Sequence, residues 1–558
     1  MGKVIKIYIY KFLFLYRKSR KTRVYLFITV LTGITSLLLI FLRKGYYFYS
    51  SNYISVLYFI LIIIFIIFVL FVSLIYFKKL PLNFYFKILY FLKSLINKKF
   101  FLLCSSLIIL ILFTLSAYLQ YINLHSALLD LGLEQQVVWN TAQGRIMQSG
   151  VETANYLGDH FSLITLPVAL IYKLFPGVIT LFFLQNLALI LSGLGVYKLV
   201  NLILKNKVWA TAFFFIFITY LGISGLWLFD YHPNVFALPF LIWGWYFFHN
   251  RKIKITFILF ILASLGKEEI GIYIGMSGLL MLLKYRNKIG IFFACYGFLI
   301  SILALFVFIP YFRQETADTF ARYSWLGNSF ADAISTVLTN PFFILGKLLS
   351  FFKISYLFKL GLPLLFIFIA APKESIIIIP SLLINMFADF PSQTSALYQY
   401  DVAVTAGIFY VAVIGLKRIS KYVRDIKEVN FKFHLLSYFI VINFFLFVVH
   451  PFWSVIFRPL NRYQDYLFLQ DLRKKIPENF IISVSNIPGG LFGEYERLQL
   501  FDAGVFDYKQ MPDLVIVDKI TGYQENRTKL TELLQKDYKL YQDSESFIII
   551  IKHGKSLN

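Results

Sequence analysis

The sequence predicts an α-helical polytopic membrane protein of about 13 transmembrane helices carrying a small C-terminal α/β domain. Three observations carry that expectation. Hydrophobic residues make up 59% of the 558 residues and charged residues only 15%, more apolar surface than a soluble core could hide. Segments such as 24–42, 54–77 and 100–119 are nearly free of charge, and about 20 apolar residues suffice to cross roughly 30 Å of hydrocarbon as a helix. After Trp453 the chain turns polar and three short apolar runs stand out, FIISVS (480–485), LVIVD (514–518) and FIIIIK (547–552).

At the N-terminus Arg17, Lys18, Arg20, Lys21 and Arg23 precede the first apolar stretch. No small-residue cleavage site follows and another span soon does, so the segment reads as an anchor. Residues 1–99 are expected to form a cytoplasmic segment and a two-helix membrane hairpin, 100–453 the transmembrane core with its outer loops, and 454–558 the α/β domain. With the N-terminus in the cytoplasm, the basic clusters at Lys78–Lys79, Lys98–Lys99, Lys205–Lys207, Arg251–Lys254, Lys284–Lys288 and Lys417–Arg424 all fall inside. That distribution accounts for the formal charge of +25 better than a nucleic-acid partner does. It implies a multi-pass plasma-membrane protein, and an odd number of crossings leaves the C-terminal domain extracytoplasmic. The apolar halves around Lys267 and Pro380 are short for full spans, so they read as tilted, broken or partly re-entrant. Residues 161–175 read as an interfacial helix. In the C-terminal domain the three apolar runs are expected as buried strands, and 527–540 as a helix through Leu530, Leu533, Leu534 and Tyr538. Cys104 and Cys295 lie inside apolar runs, with no ligand set beside them.

In this topology nearly every unusual polar cluster faces outward. The first outer loop holds Asp130 and Glu134, one helical turn apart, two acids that stay ionised only beside a cation, a basic partner or water. Asp159 and His160 follow, completing a set able to bind a hard divalent cation such as Mg or Mn, or to abstract a proton. Helix capping by Asp130 and Asp159 with a solvated Glu134 is the bland alternative, and Trp139 and Tyr156 read as interfacial anchors. Asp230 and His232 in FDYHPN either cap a restarting helix or join the same site. Lys267, between two short apolar halves, pairs internally with an acid or grips a phosphate that Glu268 helps to position. Arg313 and Arg322 are candidates for holding an anionic lipid headgroup, against ordinary solvation. Tyr400 closes the outer end of a later span; Asp401 beside it is an intramembrane acid.

These residues lie in motifs that resemble those of the membrane-protein family known as domain of unknown function 2079. The motifs are DLGLEQQVVW (130–139), NYLGDHFS (155–162), FDYHP (229–233), LGKEE (265–269), RYSWLG (322–327) and YQYD (398–401). The resemblance covers roughly residues 100–416. It implies a GT-C-like fold, because that family is placed near GT-C glycosyltransferases, which take a sugar from a polyprenyl-phosphate carrier on the outer side of the membrane. It also implies that Asp130 is the catalytic base or a metal ligand. This chain departs from the family pattern at Gln135, where a second acid is usual, and at Asp401, where histidine is usual.

The expected function is therefore a cell-envelope glycosyltransferase using a polyprenyl-phosphate-linked sugar and a glycan, lipid or protein acceptor. Asp130 and Glu134 would be catalytic, Asp230, His232, Lys267, Glu268, Arg313, Arg322 and Tyr400 would bind substrate, and Asp159 and His160 would hold any metal. The alternatives are a lipid or polysaccharide transporter, which should show repeat symmetry and mid-membrane polar residues, and a non-catalytic scaffold or sensor.

Overall fold

The computed structural model describes residues 99–313, 321–424, 459–501, 511–521 and 523–558, with Phe439 and Asn443 as single positions. The two spans expected before residue 99 and the boundary expected at residues 453–454 lie outside the described residues. The described chain is mostly helical. Among those residues four helices are long and apolar enough to cross a membrane, or up to six if each of two bent pairs is one span. The four are Phe100–Ile122, Val178–Leu204, Ile289–Arg313 and Gln399–Lys421.

These helices differ in how they meet lipid. The apolar stretch of Gln399–Lys421 is 83% buried inside the protein, against 28% for Phe100–Ile122 and 22% for Ile289–Arg313. The first is a central pillar and the other two form the outer wall. Aromatic pairs fill the space around the pillar, among them Trp245 stacked on Tyr410 at 4.0 Å and Phe113 on Trp227 at 3.8 Å.

The breaks expected around Lys267 and Pro380 are present. Ile253–Ser264 and Glu268–Leu283 are separate helices meeting at Lys267, and Ser375 to Phe387 is assembled from a 3-10 turn and a short helix. Glu268–Leu283 then turns back along Ile289–Leu303 through a seam of small residues. A Cβ on Gly278 would stand 2.3 Å from the Ala294 amide nitrogen, so only glycine allows this approach. The expected interfacial helix is Thr165–Leu174, with Leu170 and Leu174 69% and 74% exposed on one face and Val168, Ala169 and Tyr172 buried on the other.

Near the C-terminus a five-stranded sheet has the order β2-β1-β3-β5-β4, built from β1 (Ile481–Val484), β2 (Arg497–Leu500), β3 (Leu514–Asp518), β4 (Tyr538–Asp543) and β5 (Phe547–Lys552). β1 pairs in parallel with β2 and β3, whereas β5 runs antiparallel to β3 and β4. The three expected strands are β1, β3 and β5. The expected helix ends at Lys536, and Tyr538 and Leu540 belong instead to edge strand β4. The helical spacing of Tyr538 is coincidental: its hydroxyl donates to Pro512 O at 2.5 Å, across to the strand side of the sheet.

Candidate active site

The Asp130 segment is an interrupted helix. Leu128–Gly132 forms a single π-turn that passes directly into the helix Leu133–Ala142. The widened turn leaves backbone groups that must find outside partners. The Ala127 amide donates to Asp230 Oδ2 at 2.9 Å, and the Leu129 amide donates to Asn486 Oδ1 at 3.1 Å. Asn486 follows β1, so the segment after this strand sits on the loop that carries the first acid. Gly489 and Gly490 make that approach possible: a Cβ on Gly489 would lie 2.4 Å from Leu128 Cβ, and one on Gly490 2.8 Å from Ser126 O. Gln136 extends the clamp by donating to Tyr495 O at 2.9 Å. Sequence reasoning missed Asn486 and both glycines; the signal was SNIPGGLFG (485–493), a turn-rich stretch directly after a strand.

Opposite Asp130 stands His232, its Nε2 3.4 Å from Asp130 Oδ1. The imidazole Nδ1 lies 3.0 Å from the carbonyl oxygen of Asp230. A carbonyl can only accept, so Nδ1 carries a proton, and the proton between Nε2 and Asp130 is the one free to move. Burial lowers the basicity of His232, but the hydrogen bond and charge of Asp130 and the charge of Glu134 outweigh it and raise its pKa. Gln185 holds the FDYHP turn in place, accepting from the His232 amide at 2.8 Å and donating to Leu226 O at 2.7 Å. Asp230 is no helix cap; it ties this turn to Ala127. Burial pushes its carboxyl up to about 7, with the Asp130 charge adding to the rise and the Ala127 and Ser126 hydrogen bonds opposing it.

Glu134 is 3% exposed, so it is not the solvated loop acid of the bland alternative. Its Oε1 accepts from the Tyr156 hydroxyl at 2.6 Å, while Oε2 is buried without a hydrogen-bond partner among the described residues. Burial pushes Glu134 up to about 7, against the opposing influence of His232 and Tyr156. Tyr156 is 1% exposed; it is a buried partner of Glu134 rather than the interfacial anchor that its position suggested. Glu134 also feels the charges of His160 and Asp159, which joins the Asp130 group to the next motif.

NYLGDHFS docks on LGKEE. The Ser162 hydroxyl donates to Gly266 O at 2.8 Å, the Ile164 amide to Leu265 O at 2.8 Å and the Phe161 amide to Glu268 Oε2 at 3.1 Å. His160 then lies between two carboxylates, Nε2 3.8 Å from Asp159 and Nδ1 3.5 Å from Glu268. Burial lowers its pKa, yet the Asp159 and Glu268 charges raise it overall, against Lys267. Glu268 thus positions the loop and, with Asp159, flanks His160. Among the described residues no group of three or more His, Cys, Asp or Glu is spaced to hold a metal ion.

The cations complete the site. Lys267 is 9% exposed and interacts electrostatically with Glu268, Glu269, Tyr400 and Asp159. Its Nζ lies 5.9 Å from the centroid of the Tyr400 ring. The guanidinium of Arg322 lies 5.6 Å from the same ring and 4.6 Å from that of Phe390. Tyr400 therefore separates two cations, neither of which has an acid within ion-pair distance among the described residues. Arg313 sits behind Gly158, where a Cβ would lie 2.8 Å from the Arg313 amide nitrogen, and its charge acts on Glu152. Asp401 belongs elsewhere: it is 1% exposed and accepts from the Tyr356 hydroxyl and from Asn385 Nδ2 at 3.1 Å.

Residues 120–544 match the family described as predicted membrane protein (DUF2079), and the chain belongs to that family. No curated protein matches it. Among solved structures it is similar to ArnT from Cupriavidus metallidurans bound to undecaprenyl phosphate, with 11% identity over 80% of this chain and 98% of that chain and a TM-score of 0.45. The apo state of the same protein has 11% identity, the same coverage and a TM-score of 0.43.

Proposed function

We propose that this family member is a membrane glycosyltransferase of the GT-C type, moving a sugar from a polyprenyl-phosphate carrier to an acceptor hydroxyl on the extracytoplasmic side. The observation that supports this most is the joining of six separated motifs into one site. Acids and imidazoles gather around Asp130 and His160, and two cations, Lys267 and Arg322, flank Tyr400 beside them.

Asp130 is the general base. Its side chain is 25% exposed whereas that of His232 is 10% exposed, so the carboxylate is the member of the pair that a substrate can reach. Burial lowers the basicity of His232, but the hydrogen bond and charge of Asp130 raise it overall, so the imidazole is the group that holds a proton beside the carboxylate. The acceptor oxygen attacks the anomeric carbon and its proton passes to Asp130. The bond from that carbon to the carrier's phosphate oxygen breaks, and the electron pair leaves on the phosphate. Lys267 and Arg322 supply the positive charge that the departing phosphate needs. Glu134 holds Tyr156 beside the base, and Asp230 orients both Ala127 and His232. Asp159 and His160 would be the donors for a divalent cation, but among the described residues no three such donors are spaced to hold one, and no step is assigned to it.

The test gives the purified full chain a radiolabelled polyprenyl-phosphate sugar with extracted envelope lipids and glycans as acceptors. Wild-type protein should form labelled product and Asp130→Asn should not. Equal transfer by Asp130→Asn would remove Asp130 as the base, and movement of label across proteoliposomes without a covalent product would make the protein a transporter.

A further inference from the structure

Pro341–Leu348 and Phe351–Leu364 form a helix pair bent by 63°. Its outer face is strongly apolar: Phe342 is 88% exposed, Phe352 69% and Leu345 50%. Near the bend each limb carries a lysine, Lys347 exposed on the first and Lys353 buried on the second. Both close on a single indole, with Lys347 Nζ 5.7 Å and Lys353 Nζ 5.4 Å from the ring centroid of Trp325. Trp325 is itself fixed, its Nε1 donating to Phe387 O at 2.7 Å, and it lies on the turn that also carries Arg322.

Lysines near a membrane surface usually snorkel, with an apolar stem along the helix and an ammonium in water. Lys347, which is exposed, can do so. Lys353 cannot, because it is only 8% exposed. The two ammonium groups repel one another, and the charge of Asp389 acts on Lys353. Among the described residues neither lysine has an acid within ion-pair distance. Two cations gathered in a medium of low dielectric are costly until an anion joins them.

We propose that Lys347 and Lys353, meeting across Trp325 at the bend, hold the phosphate of an anionic membrane phospholipid. The surroundings select this occupant. Acyl chains cover Phe342, Phe352 and Leu345 while the phosphate reaches both ammonium groups, whereas free inorganic phosphate gains nothing from an apolar wall. The carrier's phosphate has the same chemistry, but here it would have no base in ion-pair reach; the groups suited to its reaction lie around Lys267 and Tyr400. The site does not depend on the proposed transferase activity.

The full chain is reconstituted in nanodiscs containing phosphatidylcholine, phosphatidylglycerol and polyprenyl phosphate, and retained lipid is read by native mass spectrometry after transfer to detergent. Wild-type protein should retain phosphatidylglycerol in preference to phosphatidylcholine. Lys347→Gln, at an exposed position that leaves packing intact, should weaken retention by about tenfold, the value of one charge-assisted contact. Lys347→Gln with Lys353→Gln should abolish the preference, and the two Lys→Arg variants should keep it. Unchanged phosphatidylglycerol retention in Lys347→Gln overturns the proposal. So does loss of polyprenyl phosphate with phosphatidylglycerol unaffected, which would assign these lysines to the carrier.

Discussion

Carboxylates in two parts of this protein are satisfied in opposite ways. Glu374, 0% exposed, is paired with two basic side chains, Lys284 and Arg418. Asp130, Glu134 and Asp230 have partners that can gain or lose a proton or that only donate: His232, the Tyr156 hydroxyl and the Ala127 amide. An acid locked to two cations cannot act as a base at moderate pH, because its proton affinity has been spent on the pairing. An acid held by an imidazole keeps that capacity. Glu134 and Asp230 are buried as Glu374 is, and the partners rather than the burial separate a structural role from a chemical one.

Four substitutions sharpen or break that contrast. The largest effect belongs to Asp130→Asn, expected to lower transfer by about 10³-fold, within the usual range for a lost general base, while the unfolding midpoint barely moves. Glu374→Gln should do the reverse. Uncovering two partly exposed cations should cost about 2 kcal/mol, with turnover per folded molecule preserved; a large fall in turnover at normal stability would collapse the distinction. Asp230 comes third and is read by pH. Its carboxyl is raised from the ordinary value to about 7, so between about pH 4 and pH 7 the folded protein binds the proton that the unfolded chain releases. Stability from this group is therefore present at low pH, declines as pH rises through that window and stays low above it. Asp230→Asn should narrow the gap in unfolding midpoint between pH 5 and pH 8, by an amount of roughly 2 kcal/mol; an unchanged gap would show that another group carries it. The smallest effect is that of Asn486→Ala, which removes the hydrogen bond to the Leu129 amide. A cost of about 1 kcal/mol should lower kcat severalfold with little change in KM, since Asn486 positions the base and does not touch substrate.

Much of this site was legible in the sequence, for a physical reason. Charged residues are expensive near lipid and so are sparse there, which made Asp130, Asp230, Lys267 and Arg322 visible against an apolar background. Glu134 and Tyr156 were harder to read, because a loop position does not reveal whether a side chain points to water or inward. Gln185 and Asn186, inside a long span, gave two polar letters with nothing nearby in the sequence to explain them. Asn486, Gly489 and Gly490 were hidden by distance: they lie more than 350 residues from the turn they hold, and nothing local marks a residue that completes another segment's hydrogen bonds. Tyr538 misled because a helix and an adjoining edge strand can share apolar spacing for a few residues.

By itself the sequence determined that the chain is a helical membrane protein, where its apolar segments break, and which ionisable residues stand at those breaks. Each of these follows from local composition and period, since the cost of exposing backbone or charge to lipid is paid residue by residue. Only the tertiary structure decided which of these groups meet. The π-turn is held by Asn486 and the glycines after β1, from the far end of the chain, and Lys267 meets Arg322 across Tyr400 because broken helices bring their ends together. Such contacts depend on how whole elements pack, which no short window of sequence contains.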